Sequence, residues 1–133
     1  MNTQELFETM VTKTIAQGRA CYFNGACEYR HEDDEGDVYR CAVGQIITDE
    51  NYDSIIEDYP LNERHTPLMH AIEESLGRPV TDEEIDIMVA TQDAHDNAAQ
   101  KEDTTFVRDF KANLRAYFEG EQPGLVDLEF LDD

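Results

Sequence analysis

The chain has 133 residues, of which 31 are Asp or Glu and 10 are Lys or Arg, giving a formal net charge of −21. Its 40% hydrophobic content suffices for one core and excludes global disorder, while the negative field excludes direct binding of DNA or RNA. The opening MNTQELFETM has no basic stretch followed by an apolar one, and no window approaches a membrane span, so a cytoplasmic protein without membrane contact is expected.

In chain order, the first predicted helix begins with Thr3 as cap, repeats Leu6, Phe7, Met10, Val11 and Ile15 at three- and four-residue steps, and ends at Gly18. Residues 26 to 30 (ACEYR) and 38 to 43 (VYRCAV) then flank the polar run HEDDEGD, a pattern that predicts one β-hairpin with a highly charged tip. A short helix follows around Ala42 to Ile47. Another starts at Thr48-Asp49-Glu50, carries Tyr52, Ile55 and Ile56, and stops at Pro60.

Thr66-Pro67 supplies a cap and a first-turn proline for a helix with Leu68, Ile72 and Leu76 on one face, terminated by Gly77. Thr81-Asp82-Glu83-Glu84 reads as a capping box opening a long helix from Asp82 to about Gln100. The last helix, Thr104 to Phe118, turns Phe106, Val107, Phe110, Leu114 and Phe118 inward and groups Arg108, Lys111 and Arg115 on one side. Gly120 and Pro123-Gly124 end it, leaving the tail LVDLEFLDD, either a docking strand or a segment packed on its own domain. These elements predict a predominantly helical α+β domain over residues 1–120, about five helices around one hairpin, with an acidic-hydrophobic tail over 121–133.

Cys21, Cys27 and Cys41 are odd in number and lack C-x-x-C spacing, which fits reduced, partly buried thiols and neither a disulfide framework nor zinc. No metal or cofactor is expected. At the hairpin tip, Glu32-Asp33-Asp34-Glu35 with Asp37 offers oxygens to a hard cation, but Gly36 is misplaced for a calcium loop and a solvated tip is the simpler reading.

In the long helix the inward stripe Ile85, Met88, Val89 continues into Gln92, His95 and Asp96. A core stripe that turns polar needs partners. Cys41 beside His95, oriented by Gln92 or Asp96, would be hydrolase-like; a core histidine satisfied by backbone, Arg30 or Arg40 is the structural alternative. Phosphate loops, a G-x-S-x-G elbow and H-E-x-x-H are absent.

The carboxylates point to a basic partner. Glu32, Asp33, Asp34, Glu35 and Asp37, then Asp49, Glu50 and Asp53, Glu57 and Asp58, and finally Asp82, Glu83, Glu84 and Asp86 form runs that can imitate a phosphate backbone if they share a surface. Three Lys against seven Arg also fits a chain adapted to high salt, where acidic residues spread evenly.

Cys27-Glu28-Tyr29-Arg30, Tyr39-Arg40-Cys41-Ala42-Val43-Gly44-Gln45-Ile46-Ile47, Asp49-Glu50 with Tyr52, and Gln92, His95, Asp96 together resemble a family of small uncharacterised bacteriophage and bacterial proteins. That family carries C-x-Y-R, C-A-V-G and Q-x-x-H-D elements, and the resemblance implies a phage accessory protein with Arg30, Cys41, Gln92, His95 and Asp96 at any shared site. The expected role is non-enzymatic: inhibition of a host nucleic-acid-binding or defence protein through a DNA-mimic-like surface. A small Cys/His hydrolase or nucleotide-processing enzyme and a salt-adapted regulatory domain are the alternatives.

Overall fold

A computed structural model describes residues 1–23, 25–99 and 103–132. Among these residues the chain forms a predominantly helical α+β fold of four α-helices, two short antiparallel hairpins and connecting 3-10 turns. Helix α1 (Thr3–Gln17) begins one residue earlier than Thr3 would place its cap: Asn2 Oδ1 accepts the Glu5 N–H at 2.8 Å, and Glu5 returns the bond to the Asn2 N–H at 3.2 Å. Asn is as good a cap as Thr, and the reciprocal Glu5 contact settles the choice. Gly18 stops α1 at φ 80°, where a β-carbon would be strained.

The single hairpin of the sequence reading is two. Strands β1 (Tyr22–Phe23) and β2 (Ala26–Cys27) pair with Tyr22 opposite Cys27, and β3 (Arg30–Glu32) and β4 (Val38–Arg40) pair with Arg30 opposite Arg40. Two like charges facing each other destabilise a sheet. Here Asp49 bonds to both guanidiniums, through Arg30 Nε at 3.1 Å and through Arg40 Nη2, and holds the pair together.

The segment after β4 departs from helical expectation. Val43–Ile46, Asp49–Asn51 and Ser54–Asp58 are three separate 3-10 turns, because Asp53 is extended and caps the last of them through Ile55 N–H at 3.0 Å. Gly44 is placed by a close approach: a β-carbon there would lie 1.8 Å from the Tyr29 carbonyl oxygen.

Helix α2 (Pro67–Leu76) has the predicted Thr66 cap, whose Oγ1 accepts the Met69 N–H at 3.1 Å, and the predicted Gly77 end. Helix α3 (Asp82–Ala99) opens with a complete capping box, Glu84 N–H to Thr81 Oγ1 and Thr81 N–H to Glu84 Oε1, each at 3.1 Å. Helix α4 (Phe106–Arg115) is shorter than expected and widens into a π-helical turn over Ala116–Glu121. Four α-helices stand where about five were expected, and both the short helix expected around Ala42 to Ile47 and the one expected from Thr48 to Pro60 are replaced by 3-10 turns.

Helix α3 packs on α4 and α1, and buried Phe7, Met10, Leu68, Ile72, Ile87, Met88, Phe106 and Phe110 fill the space between helices. Each large apolar side chain removed from water contributes about 1.5–3 kcal/mol. The tail joins this core. Leu128 and Leu131 are buried, Phe130 meets Phe7 edge-on at 5.8 Å, and Gln4 clamps the Asp127 backbone with two 2.9 Å bonds. A domain boundary at residue 120 therefore does not separate the tail from the core.

Candidate functional site

Position 95 falls on the inner stripe of α3, one turn beyond buried Thr91, and its imidazole is 0% exposed. The Cys21 N–H donates to His95 Nε2 at 3.1 Å. That nitrogen thus carries the lone pair, so Nδ1 carries the proton and donates to Asp96 Oδ1 at 2.9 Å. The same Oδ1 accepts the Gln92 side-chain N–H at 2.7 Å, and Gln92 Oε1 accepts the Val43 N–H at 3.0 Å. Gln92, His95 and Asp96 form one satisfied network that fastens the chain before β1 and the turn after β4 to α3.

Cys41 and Arg30 lie outside that network. The Cys41 thiol is buried and accepts the Gly44 N–H at 3.4 Å; both His95 ring nitrogens are taken by Cys21 and Asp96, so the expected Cys41–His95 pair does not form. Arg30 bonds to Asp49 and lies over the Tyr52 ring at 5.5 Å. The histidine finds its partners in backbone and Asp96, and neither Arg30 nor Arg40 is among them.

The thiol that sequence reasoning overlooked is Cys27, which the short β1–β2 hairpin folds back toward α3. Cys27, His95 and Asp96 bring potential metal-ligand atoms within 4.8 Å of one another. The tautomer argues against a metal there. A ligating imidazole nitrogen needs a lone pair, yet Nδ1 is protonated and the lone pair of Nε2 is used by Cys21 N–H.

The thiols are also poor nucleophiles. Burial, assisted by the Glu28 charge, pushes Cys21 up to about 12, burial holds Cys41 well above its ordinary value, and burial and then Asp96 raise Cys27.

The acidic residues divide into two regions. In the first, Asp49 joins Arg30 and Arg40, and half-buried Glu57 accepts Tyr29 N–H at 2.9 Å, Arg30 N–H at 3.3 Å and Tyr52 O–H at 2.7 Å. These bonds sew residues 49–58 to the β3–β4 hairpin. At the tip, Asp33 Oδ1 accepts the Glu35 and Asp37 N–H groups, each at 2.9 Å, leaving Asp34, Glu35 and Asp37 exposed around a turn that is built rather than loose. Arg40 is the first cause, and Arg30 a further one, that holds the Asp49 carboxyl below its ordinary value.

The second region is the start of α3. Asp82 pairs with Arg64 and is 92% exposed, and Glu83 and Asp86 are exposed. Glu84 corrects the sequence reading: it is 1% exposed and bonds Arg78 at 2.7 and 2.9 Å, with Thr3 Oγ1 donating at 3.2 Å. It is an interior strut, unavailable to a partner. Glu84 meets the start of α1, and His95, about 17 Å further along α3, meets the chain entering β1.

Comparison with family models, curated proteins and solved structures finds no match to this chain. What defines the molecule is therefore its own arrangement: a helical α+β domain with a sealed polar cluster and a surface dominated by carboxylates.

Proposed function

We propose that the protein is a phage-type accessory protein that binds a basic host protein, of the nucleic-acid-binding or defence class, and occupies the surface that protein uses for a phosphate backbone. The observation that carries this reading is the bracing of the open end of the β3–β4 hairpin against residues 49–58 through Arg30, Arg40, Asp49 and Glu57, which fixes the two segments that carry exposed Asp34, Glu35 and Asp37 and exposed Glu50 and Asp53. Arg30, Arg40, Arg64, Arg78, Arg108 and Arg115 each pair with a carboxylate of the chain itself. The remaining negative charge therefore faces outward, where it accelerates encounter with a positive surface. The sealed thiols and the engaged His95 give no support to the Cys/His hydrolase alternative.

The test is retention of host-lysate proteins on the immobilised chain, eluted with duplex DNA and compared with the variant D34N/E35Q/D37N/E50Q/D53N. Nucleic-acid-binding proteins released by DNA and lost from the variant support the reading. Retention that survives both the variant and competing DNA rejects it.

A further inference from the structure

Away from the hairpins, the outer side of α3 forms a groove with the π-turn after α4. Its half nearer Asp82 encloses about 450 Å³ over Ile85 and Val89, beside Asp86. Its other half, about 310 Å³, runs over Ala90 and Ala94 between Asp93 and Glu121. Tyr117 stands where the two halves meet. Widening of the helix at 116–121 sets this tyrosine, a kind of local change common at functional surfaces. Its ring lies edge-on to Phe118 at 4.9 Å, and its hydroxyl has no hydrogen-bond partner among the described residues.

Apolar floor and acidic walls run together along this groove. The side chains of Asp86, Asp93 and Glu121 make no hydrogen bond or ion pair among the described residues, and the one cation among the described lining residues, Arg64, is held by Asp82. Partial desolvation, and then the Asp96 charge, hold the Asp93 carboxyl above its ordinary value, a strain that a bound cation relieves. From Asp82 to Asn97 the groove is about 22 Å long, the length of about four helical turns.

We propose that this groove docks a basic amphipathic α-helix of the partner, with its apolar face on Ile85, Val89 and Tyr117 and its lysines or arginines on Asp86, Asp93 and Glu121. The proposal rests on the reading of the chain as a binder of basic proteins and names the element it grips. Helix-in-groove recognition needs apolar anchors at three- and four-residue spacing, which Ile85 and Val89 on one side and Tyr117 on the other can receive. The matching charge selects a basic partner helix over an acidic or neutral one.

The probe is a fluorescein-labelled Lys/Leu amphipathic peptide of about 18 residues, titrated by anisotropy at about 0.15 M NaCl beside a peptide of the same composition with the periodicity scrambled. The amphipathic peptide is expected to bind about tenfold tighter or more. Val89→Glu, which adds negative charge while obstructing the apolar floor, is expected to weaken it about tenfold, as is D86N/D93N. Equal affinity for both peptides, or undiminished affinity in a Val89→Glu protein whose circular dichroism is native, overturns the groove, because charge alone would then explain the attraction. Backbone amide shifts provide a second check on the wild-type protein. Changes centred on residues 85–97 and 116–121 support docking there; changes at 33–37 and 49–58 overturn the groove while leaving DNA-displaceable retention, and thus the proposed function, intact.

Discussion

His95 has no polar atom left to offer a substrate, and its worth is measured in stability. Truncation to Ala leaves the Cys21 N–H buried without an acceptor, removes one donor from Asp96 and opens a void beside Phe106. The expected loss in urea denaturation is about 3–4 kcal/mol, combining the unsatisfied donor and the cavity. Gly44→Ala should cost about 3 kcal/mol or more, since its methyl would overlap the Tyr29 carbonyl. The contact is with backbone, so it demands glycine at position 44 whatever side chain stands at position 29. Thiol titration with a disulfide reagent should leave Cys21 and Cys41 unreacted in the native protein, with only half-buried Cys27 accessible, and should count all three after unfolding. Rapid native reaction of Cys41 would contradict its sealed environment.

At the scale of elements, the start of α3 is held by charge inside the fold as well as by its cap. Arg78 first, and Thr81 N–H with it, bring the Glu84 carboxyl down to about 2 from an ordinary value of 4.5. A depressed carboxylate stabilises the fold above its unfolded value and loses that contribution as pH falls toward the folded one. Wild type should therefore exceed Glu84→Gln by about 2–3 kcal/mol at neutral pH, and the gap should close between about pH 4.5 and 2. Comparing the two proteins isolates this bond from the relief of repulsion that acid brings to the other carboxylates. A gap independent of pH would mean that packing, rather than the Arg78 pair, holds Glu84. The helix expected over 49–58 fails for an equally local reason, since Asp53 uses its side chain to start a new turn.

For the whole molecule, 31 acidic against 10 basic residues set the response to salt. Screening shortens the range of repulsion to about 10 Å at 0.1 M, so the thermal midpoint should rise between low salt and about 0.3 M NaCl while retention of a basic partner falls. A salt-adapted chain instead continues to gain stability in molar salt and shows no partner that DNA displaces. Under the proposed function, the carboxylates at the hairpin and at the start of α3 and the acidic groove between α3 and the π-turn offer a basic partner more than one place to meet.

Local chemistry made much of this protein legible in the sequence. Apolar periodicity located α1, α2 and α3, Thr66 and Thr81 announced their caps, and Gly18 and Gly77 their ends, because each depends on residues within a turn of one another. Gln92, His95 and Asp96 stood out as a polar stripe for the same reason. Their partners did not, since Cys21 N–H, Val43 N–H and the Cys27 thiol reach them only when separate segments fold onto α3. Glu84 belonged by spacing both to an acidic run and to a capping box; only the approach of Arg78 and Thr3 made it a buried strut. The sequence by itself determined composition, charge and most helix boundaries, which are sums and short-range contacts. Tertiary structure decided which carboxylates face outward, which thiol meets Asp96 and where a groove opens, because those depend on distances between residues far apart in the chain.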